Sequence, residues 1–192
     1  MERRKATNIF AAVSGCLGSH DDLPIMPAGS DPMTCVSRNR VPQPFFLISV
    51  HDQVLVMFAG TSRIELPGSD LGHTELKPGQ MLYIPAGQPS RIVPLTESIQ
   101  LKWRGEPGGW EAAVWYCARC NHEVFAKEFN TAVQLPQEAY WQACREFNAD
   151  AKARTCSNCG AVSDAVDLSD IRWAEVAREI CKQEAADPVS ES

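Results

Sequence analysis

The chain has 192 residues, eight cysteines and a net charge of −6, enough length for one ordinary hydrophobic core with a small appendage. Its acids are spread along the sequence and gather again in the tail QEAADPVSES, so the basic stripe that nucleic acid requires is missing, and no stretch approaches the ~20 apolar residues of a membrane span. Neither nucleic acid nor a membrane is an expected partner.

In chain order, MERRKATNIFAAVSGCLG reads as an amphipathic helix. Thr7 and Asn8 interrupt an apolar run already short for the ~7–15 residues of an export signal. A cytoplasmic protein is the expectation, and in that reduced setting the cysteines point to metal or redox chemistry rather than to a disulfide framework. A loop rich in Gly, Pro, Asp and Ser (HDDLPIMPAGSDP) then leads to the short runs MTCVS, FFLISV, VLVMFAG, SRIELPG, MLYIPAG and SIQLKWR. Separated by turn residues, they have the rhythm of an all-β barrel or sandwich.

The turn-rich GEPGGW follows, and beyond it the first of two Cys-x-x-Cys pairs. Between the pairs, LPQEAYWQACREFNA predicts a helix with Pro136 at its start and Ala139, Tyr140, Ala143, Cys144 and Phe147 on one face. The last segment, LSDIRWAEVAREICKQEA, predicts a second helix capped by Ser169, with Ile171, Ala174, Ala177, Ile180 and Cys181 on one face and Trp173 in the core. The layout divides into an N-terminal helix and loop (1–30), a barrel (31–106), a metal module (107–164), and a C-terminal helix with an acidic tail (165–192).

Cys117 and Cys120 in WYCARCNHE, with Cys156 and Cys159 in RTCSNCGAV, are four thiolates at the spacing that closes a tetrahedral shell around one iron or zinc ion. Gly160 supplies a left-handed backbone position after the second pair, and Asn121 tolerates one after the first. Cys16, Cys35, Cys144 and Cys181 stand alone and read as small buried hydrophobes.

LKPGQMLYIPAGQPS places five residues between Gly79 and Pro85, with Gly87 two further on. This spacing is similar to the second motif of the cupin superfamily, in which the glycines and the proline shape tight turns around a strand. Taken with WYC-x-x-C-x-H and RTC-x-x-CG, it resembles the prokaryotic and fungal type of 3-hydroxyanthranilate 3,4-dioxygenase over about residues 33–160. The resemblance implies a mainly β fold: a cupin-type double-stranded β-barrel with a small rubredoxin-like metal module and a C-terminal helix. It also implies a ferrous ion held by two histidines and a glutamate, cleavage of an aminophenol ring by dioxygen, and, weakly, a homodimer.

Carried across without gaps, the three iron ligands of that family fall on Arg38, Pro44 and Ser90. The substrate arginines fall near Thr34 and Pro94, and a substrate glutamate falls on Lys102. No catalytic residue is therefore assigned. A second metal in the barrel has little support; His51 and His73 with Asp52 or Glu75 are the remaining candidates. Arg38, Arg40, Arg91 and Lys102, with Arg104, instead suggest an anion pocket, since a guanidinium binds carboxylate bidentately. The leading reading is a diverged dioxygenase-like cupin with one structural ion at the cysteines, without iron-dependent ring cleavage, that binds or acts on a small aromatic or carboxylate metabolite. Two others stay open: an active non-heme oxidoreductase using a relocated barrel metal, and a metal-ribbon module for protein interaction.

Overall fold

Gly- and Pro-punctuated β-rich runs favour short strands, and the computed structural model, which describes residues 8–26 and 29–186, shows them pairing antiparallel throughout. One sheet has the order β1 (Leu23–Pro24), β2 (Met33–Asn39), β9 (Ser98–Arg104), β4 (Gln53–Ala59), β7 (Met81–Ile84). A second joins β11 (Glu123–Asn130), β10 (Trp110–Tyr116) and β3 (Phe46–Ser49), and a third joins β6 (Gly72–Leu76), β5 (Ser62–Leu66) and β8 (Arg91–Pro94). The bridge between Leu47 and Ser90 links these last two into one continuous wall. The two walls enclose a barrel whose apolar part is Leu55 and Met57 of β4 against Ile64, Leu66, Ile84 and Ile92.

All six runs singled out in the sequence contribute a strand. Gly79 and Gly87 have φ of +83° and +77°, so both turns of the glycine–proline motif use the left-handed conformation. The predicted first helix is shorter: α1 spans Ile9–Ala12, capped by the Asn8 side chain, and passes into a 3-10 turn at Val13–Gly15. Residues 1–7 of that segment lie outside the described residues. Val13 and Cys16 pack with Val36 and Leu101 on the outer side of the first sheet.

Helix α2 (Pro136–Ala149) starts at Pro136 and buries the predicted face. Helix α3 (Trp173–Ala186) begins later than expected, and Ser169 is not its cap. The chain before it is drawn into the body by Asp170 and Ile171, and the free N–H groups of Glu175 and Val176 bond to the Arg172 carbonyl instead. Cys181 is exposed, so its place on the helix's packed face also needs correcting. Both helices pack on the face of β3–β10–β11, building an aromatic cluster of Phe45, Trp115, Phe129, Tyr140, Phe147 and Trp173. Across residue 107 the sheet is continuous, because β10 pairs with β3 from Val114↔Phe46 to Glu111↔Ser49. The cysteine-bearing segment thereby shares a sheet with the barrel.

Candidate metal centre and barrel interior

Each Cys-x-x-Cys pair forms the same turn. The Cys117 N–H bonds to the His122 carbonyl at 2.8 Å and the Cys117 carbonyl accepts from Asn121 at 2.8 Å; at the second pair the Cys156 N–H bonds to Ala161 at 2.8 Å and its carbonyl accepts from Gly160 at 2.9 Å. Asn121 (φ +56°) and Gly160 (φ +71°) hold the left-handed position that each turn needs. The first pair hangs between β10 and β11, and the second follows α2, so the helix returns the chain to close the site.

The four sulfurs gather with Sγ–Sγ separations of 3.6 Å (117–159), 3.6 Å (120–156) and 3.5 Å (120–159). A disulfide would need about 2.05 Å, whereas four thiolates ~2.3 Å from a common ion stand close to the separations seen. Backbone N–H groups of Arg119 and Cys120 hold the Cys117 thiol below its ordinary range, and the Asn158 side chain with the His122 N–H lowers Cys120 to about 6. The donor set therefore fits a soft or borderline metal, and among the described residues it is the one group of three or more His, Cys, Asp or Glu side chains close enough to hold an ion.

The barrel interior is built differently. Along β9, Ser98, Gln100, Lys102 and Arg104 point inward, where they face Asn39, Ser37, Cys35 and Met33 of β2 in register. Lys102 forms a buried ion pair with Asp22, whose other oxygen accepts from Ser37 at 2.6 Å. Arg104 lies 3.4 Å from Glu111, which also accepts from the Tyr140 hydroxyl at 3.0 Å. Burial would raise the Asp22 carboxyl, but Lys102 and Ser37 outweigh it and hold the group below the usual carboxylate range. The Cys35 thiol, among the same charges, is pushed up to about 12 by burial.

Asp22 reaches this place because residues 18–22 run into the barrel without regular structure, and all five are buried. Their backbone is held from several sides. Trp173 Nε1 donates to the His20 carbonyl at 2.7 Å, Gln137 Nε2 to the carbonyls of Asp21 and Asp22, and the His20 N–H to Asn39. His20 (φ +58°) and Asp22 (φ +46°) both adopt the left-handed conformation that side chains resist. Four of the polar positions are incompletely satisfied: both amide atoms of Gln100, Nδ2 of Asn39, Oδ1 of Asp21 and Oε1 of Gln137 have no partner among the described residues.

The expected anion cluster does not assemble. Lys102 points inward and is neutralised by Asp22, while Arg38 is one residue out of phase with inward Ser37 and Asn39 and so lies on the opposite face of β2. Arg40 pairs with Asp170 at 2.5 Å outside the barrel. Arg91 sits over the Phe46 ring, donates to the Gln43 carbonyl and lies 3.7 Å from Glu65. Arg38 and Lys102 lie on opposite faces of one sheet, Arg91 lies on a strand of another, and Arg40 lies beyond the end of β2, so the four do not converge. Of the positions standing for iron ligands, Pro44 borders an outer cleft, and buried Ser90 spends its backbone on the bridge to Leu47. His51 packs against Gly105 and Gly109, and His73 is exposed on β6.

The interior network of Asp22, Glu111 and Tyr140 went unread in the sequence. A signal was present in SIQLKWR, whose alternate residues are Ser, Gln, Lys and Arg: a strand with a polar face of that kind is ordinarily placed with that face outward.

The antiparallel barrel and the four thiols define a mainly β chain with a four-cysteine cluster placed to hold a metal ion. It is 30% identical over 91 residues to the 3-hydroxyanthranilate 3,4-dioxygenase of Bacillus thuringiensis (strain Al Hakam), covering 45% of this chain and 49% of that one, and the enzyme of Bacillus cereus (strain 03BB102) matches to the same extent. The chain spans about half the length of the curated relatives it matches. No family model matches it. Among solved structures, it is similar to a cupin-2 domain protein from Shewanella frigidimarina NCIMB 400 (16% identity, 52% of this chain and 94% of that one, TM-score 0.46) and to hydroquinone 1,2-dioxygenase from Sphingomonas sp. TTNP3 (14%, 52% and 72%, TM-score 0.45). The dioxygenase resemblance carried by the cysteine pairs and the glycine–proline motif is thus matched by sequence comparison.

Proposed function

We propose that this chain is a diverged dioxygenase-like cupin that holds one iron or zinc ion at Cys117, Cys120, Cys156 and Cys159 as a structural centre, has lost iron-dependent ring cleavage, and binds or acts on a small aromatic or carboxylate metabolite. The observation that carries the reading is the content of the barrel. Charged positions that face inward are spent on each other, as Lys102 with Asp22 and Arg104 with Glu111, and the face of β3 and β10 is packed with aromatic rings from α2 and α3. An iron centre that activates dioxygen beside a bound ring needs a facial set of ligands with open positions; the inward charged side chains of this barrel are instead committed to ion pairs, and its apolar ones to packing.

The cysteine site suits a staple because it ties the β10–β11 hairpin to the chain after α2. A cytoplasmic location is argued from the reduced thiol cluster, and a homodimer rests on the resemblance alone. Metal analysis and oxygen uptake test the reading together. We expect one ion per chain, retained when His51 and His73 are changed to alanine, and no oxygen consumption with 3-hydroxyanthranilate in the presence of ferrous iron. Two ions per chain together with substrate-dependent oxygen uptake would overturn it.

A further inference from the structure

A cleft of about 620 Å³ runs outside the barrel, between the first cysteine turn, the Val41–Pro44 link and the extended segment 161–170. Its volume lies within the ~300–1,000 Å³ range of small-molecule sites. Trp115 forms part of the lining, stacked on Phe147 with ring centroids 4.5 Å apart and planes 9° from parallel. Val41, Pro44 and Val166 continue that apolar surface. Trp115 is only 8% exposed, yet its indole N–H has no hydrogen-bond partner among the described residues. A buried donor left unpaired costs stability unless something else satisfies it.

The charges around the cleft come from different elements. Asp164, on the 161–170 segment, is exposed and forms no ion pair among the described residues; neither does Arg119, on the first cysteine turn. Arg91, on β8, uses Nε on the Gln43 carbonyl and Nη1 on Glu65, leaving its second terminal nitrogen without a side-chain partner. The lining therefore offers the exposed carboxylates of Asp164 and Asp167, of which Asp167 already accepts from the Ser169 N–H, together with the Arg119 guanidinium and one remaining nitrogen of Arg91, around an aromatic and aliphatic surface.

We infer that this cleft binds a small zwitterion with a flat apolar body, of the class of an aromatic α-amino acid, its carboxylate toward Arg91 and Arg119 and its ammonium toward Asp164. The inference rests on the reading of the chain as a binder of a small aromatic or carboxylate metabolite, and gives that ligand a place and a charge pattern. The site borrows Trp115 and Phe147 from the aromatic packing on β10 but uses none of the interior ion pairs.

The test is calorimetric titration of the full, metal-loaded chain with L-tryptophan, tryptamine and indole-3-propionate, which share a ring and differ in charge. L-tryptophan should bind about fivefold tighter than either singly charged analogue, the worth of one partly exposed ion pair. The Asp164→Asn variant should erase the advantage over indole-3-propionate, and Arg91→Gln the advantage over tryptamine. Asp164 is exposed and its carboxylate has no hydrogen-bond or ion-pair partner among the described residues, so its variant carries the test alone should Arg91→Gln fold poorly. A Trp115 indole N–H resonance that moves on titration supports the site. Absence of binding by all three compounds, or an analogue that binds as tightly as L-tryptophan, overturns the inference. An order of affinities unchanged in Asp164→Asn also overturns it, while leaving the wider reading of a small-aromatic binder standing. Failure of that wider reading is seen separately, in metal count and oxygen uptake.

Discussion

Asp22 and Lys102 are almost wholly buried, with 5% of each side chain exposed, and neither charge has water to fall back on. Removing one partner strands the other, so Lys102→Met should cost about 3–5 kcal/mol. Asp22→Asn with Lys102→Met together should cost less than the sum, because the double change leaves no orphan charge. Urea unfolding of the two single variants and the double variant measures this coupling.

His20 gives the same region a pH dependence. Burial lowers its pKa to about 4, against roughly 6.5 in an unfolded chain, so between those values the unfolded state takes up a proton that the folded state refuses. Stability is therefore highest above pH ~6.5 and falls as the pH drops toward 4, by up to about 3 kcal/mol. Asp22, also held below its ordinary range, adds a loss in the same direction once the pH nears ~4. His20→Asn keeps a residue that tolerates the left-handed backbone and should flatten the slope between pH 6.5 and 4.5 in unfolding free energies taken across that range.

Among the elements, turns carry the sharpest constraint. Gly60 links β4 to β5 at φ +70°, and a Cβ there would lie 2.0 Å from the Glu97 carbonyl oxygen. Gly60→Ala should cost about 3 kcal/mol or more through left-handed strain plus a backbone clash, read as a lowered urea midpoint; a loss under ~1 kcal/mol would mean that the 95–98 turn yields freely. The strands legible in the sequence are those whose apolar runs end at Gly or Pro, since turn chemistry and alternation are local signals. WEAAVWY and EVFAKEFN also form strands, β10 and β11, but their pairing with each other and with β3 is a long-range matter. Helix α2 was legible because Pro136 and the three-and-four spacing agree. Ser169 misled because a good capping residue competes with the anchoring of Asp170 to Ser19 and Arg40. The gathering of the four cysteines was readable to the residue, since two tight turns of that spacing bring their sulfurs together. The anion cluster was not, because which face of β2 carries Arg38, and what Lys102 meets across β9, depend on long-range pairing with β2 and on Asp22.

At the scale of the whole molecule, the metal module and the barrel share the sheet β11–β10–β3, so they should melt together. Removing the ion with a strong chelator, or changing Cys120 to serine, should lower the melting temperature by about 10 °C or more, given several kcal/mol of lost chelation and ~2–4 °C per kcal/mol for a chain of this size. Scanning calorimetry should show one transition with metal present. Two well-separated transitions in the loaded protein would mean that the barrel and the cysteine module fold independently.

The segment 18–22 also sets an order on the making of the protein. Some of its anchors lie near, at Ser37 and Asn39, but others lie far along the chain: Gln137 is more than a hundred residues away, and Asp170 and Trp173 are about a hundred and fifty away. On a ribosome, where the N-terminal part of a chain emerges first, Asp22 can meet Ser37 and Lys102 early, whereas the His20 carbonyl waits for the Trp173 indole until helix α3 has been synthesised. A nascent chain halted before residue 173 holds the partners of both interior ion pairs but lacks the indole that fixes segment 18–22. A segment made early receives its final anchor last.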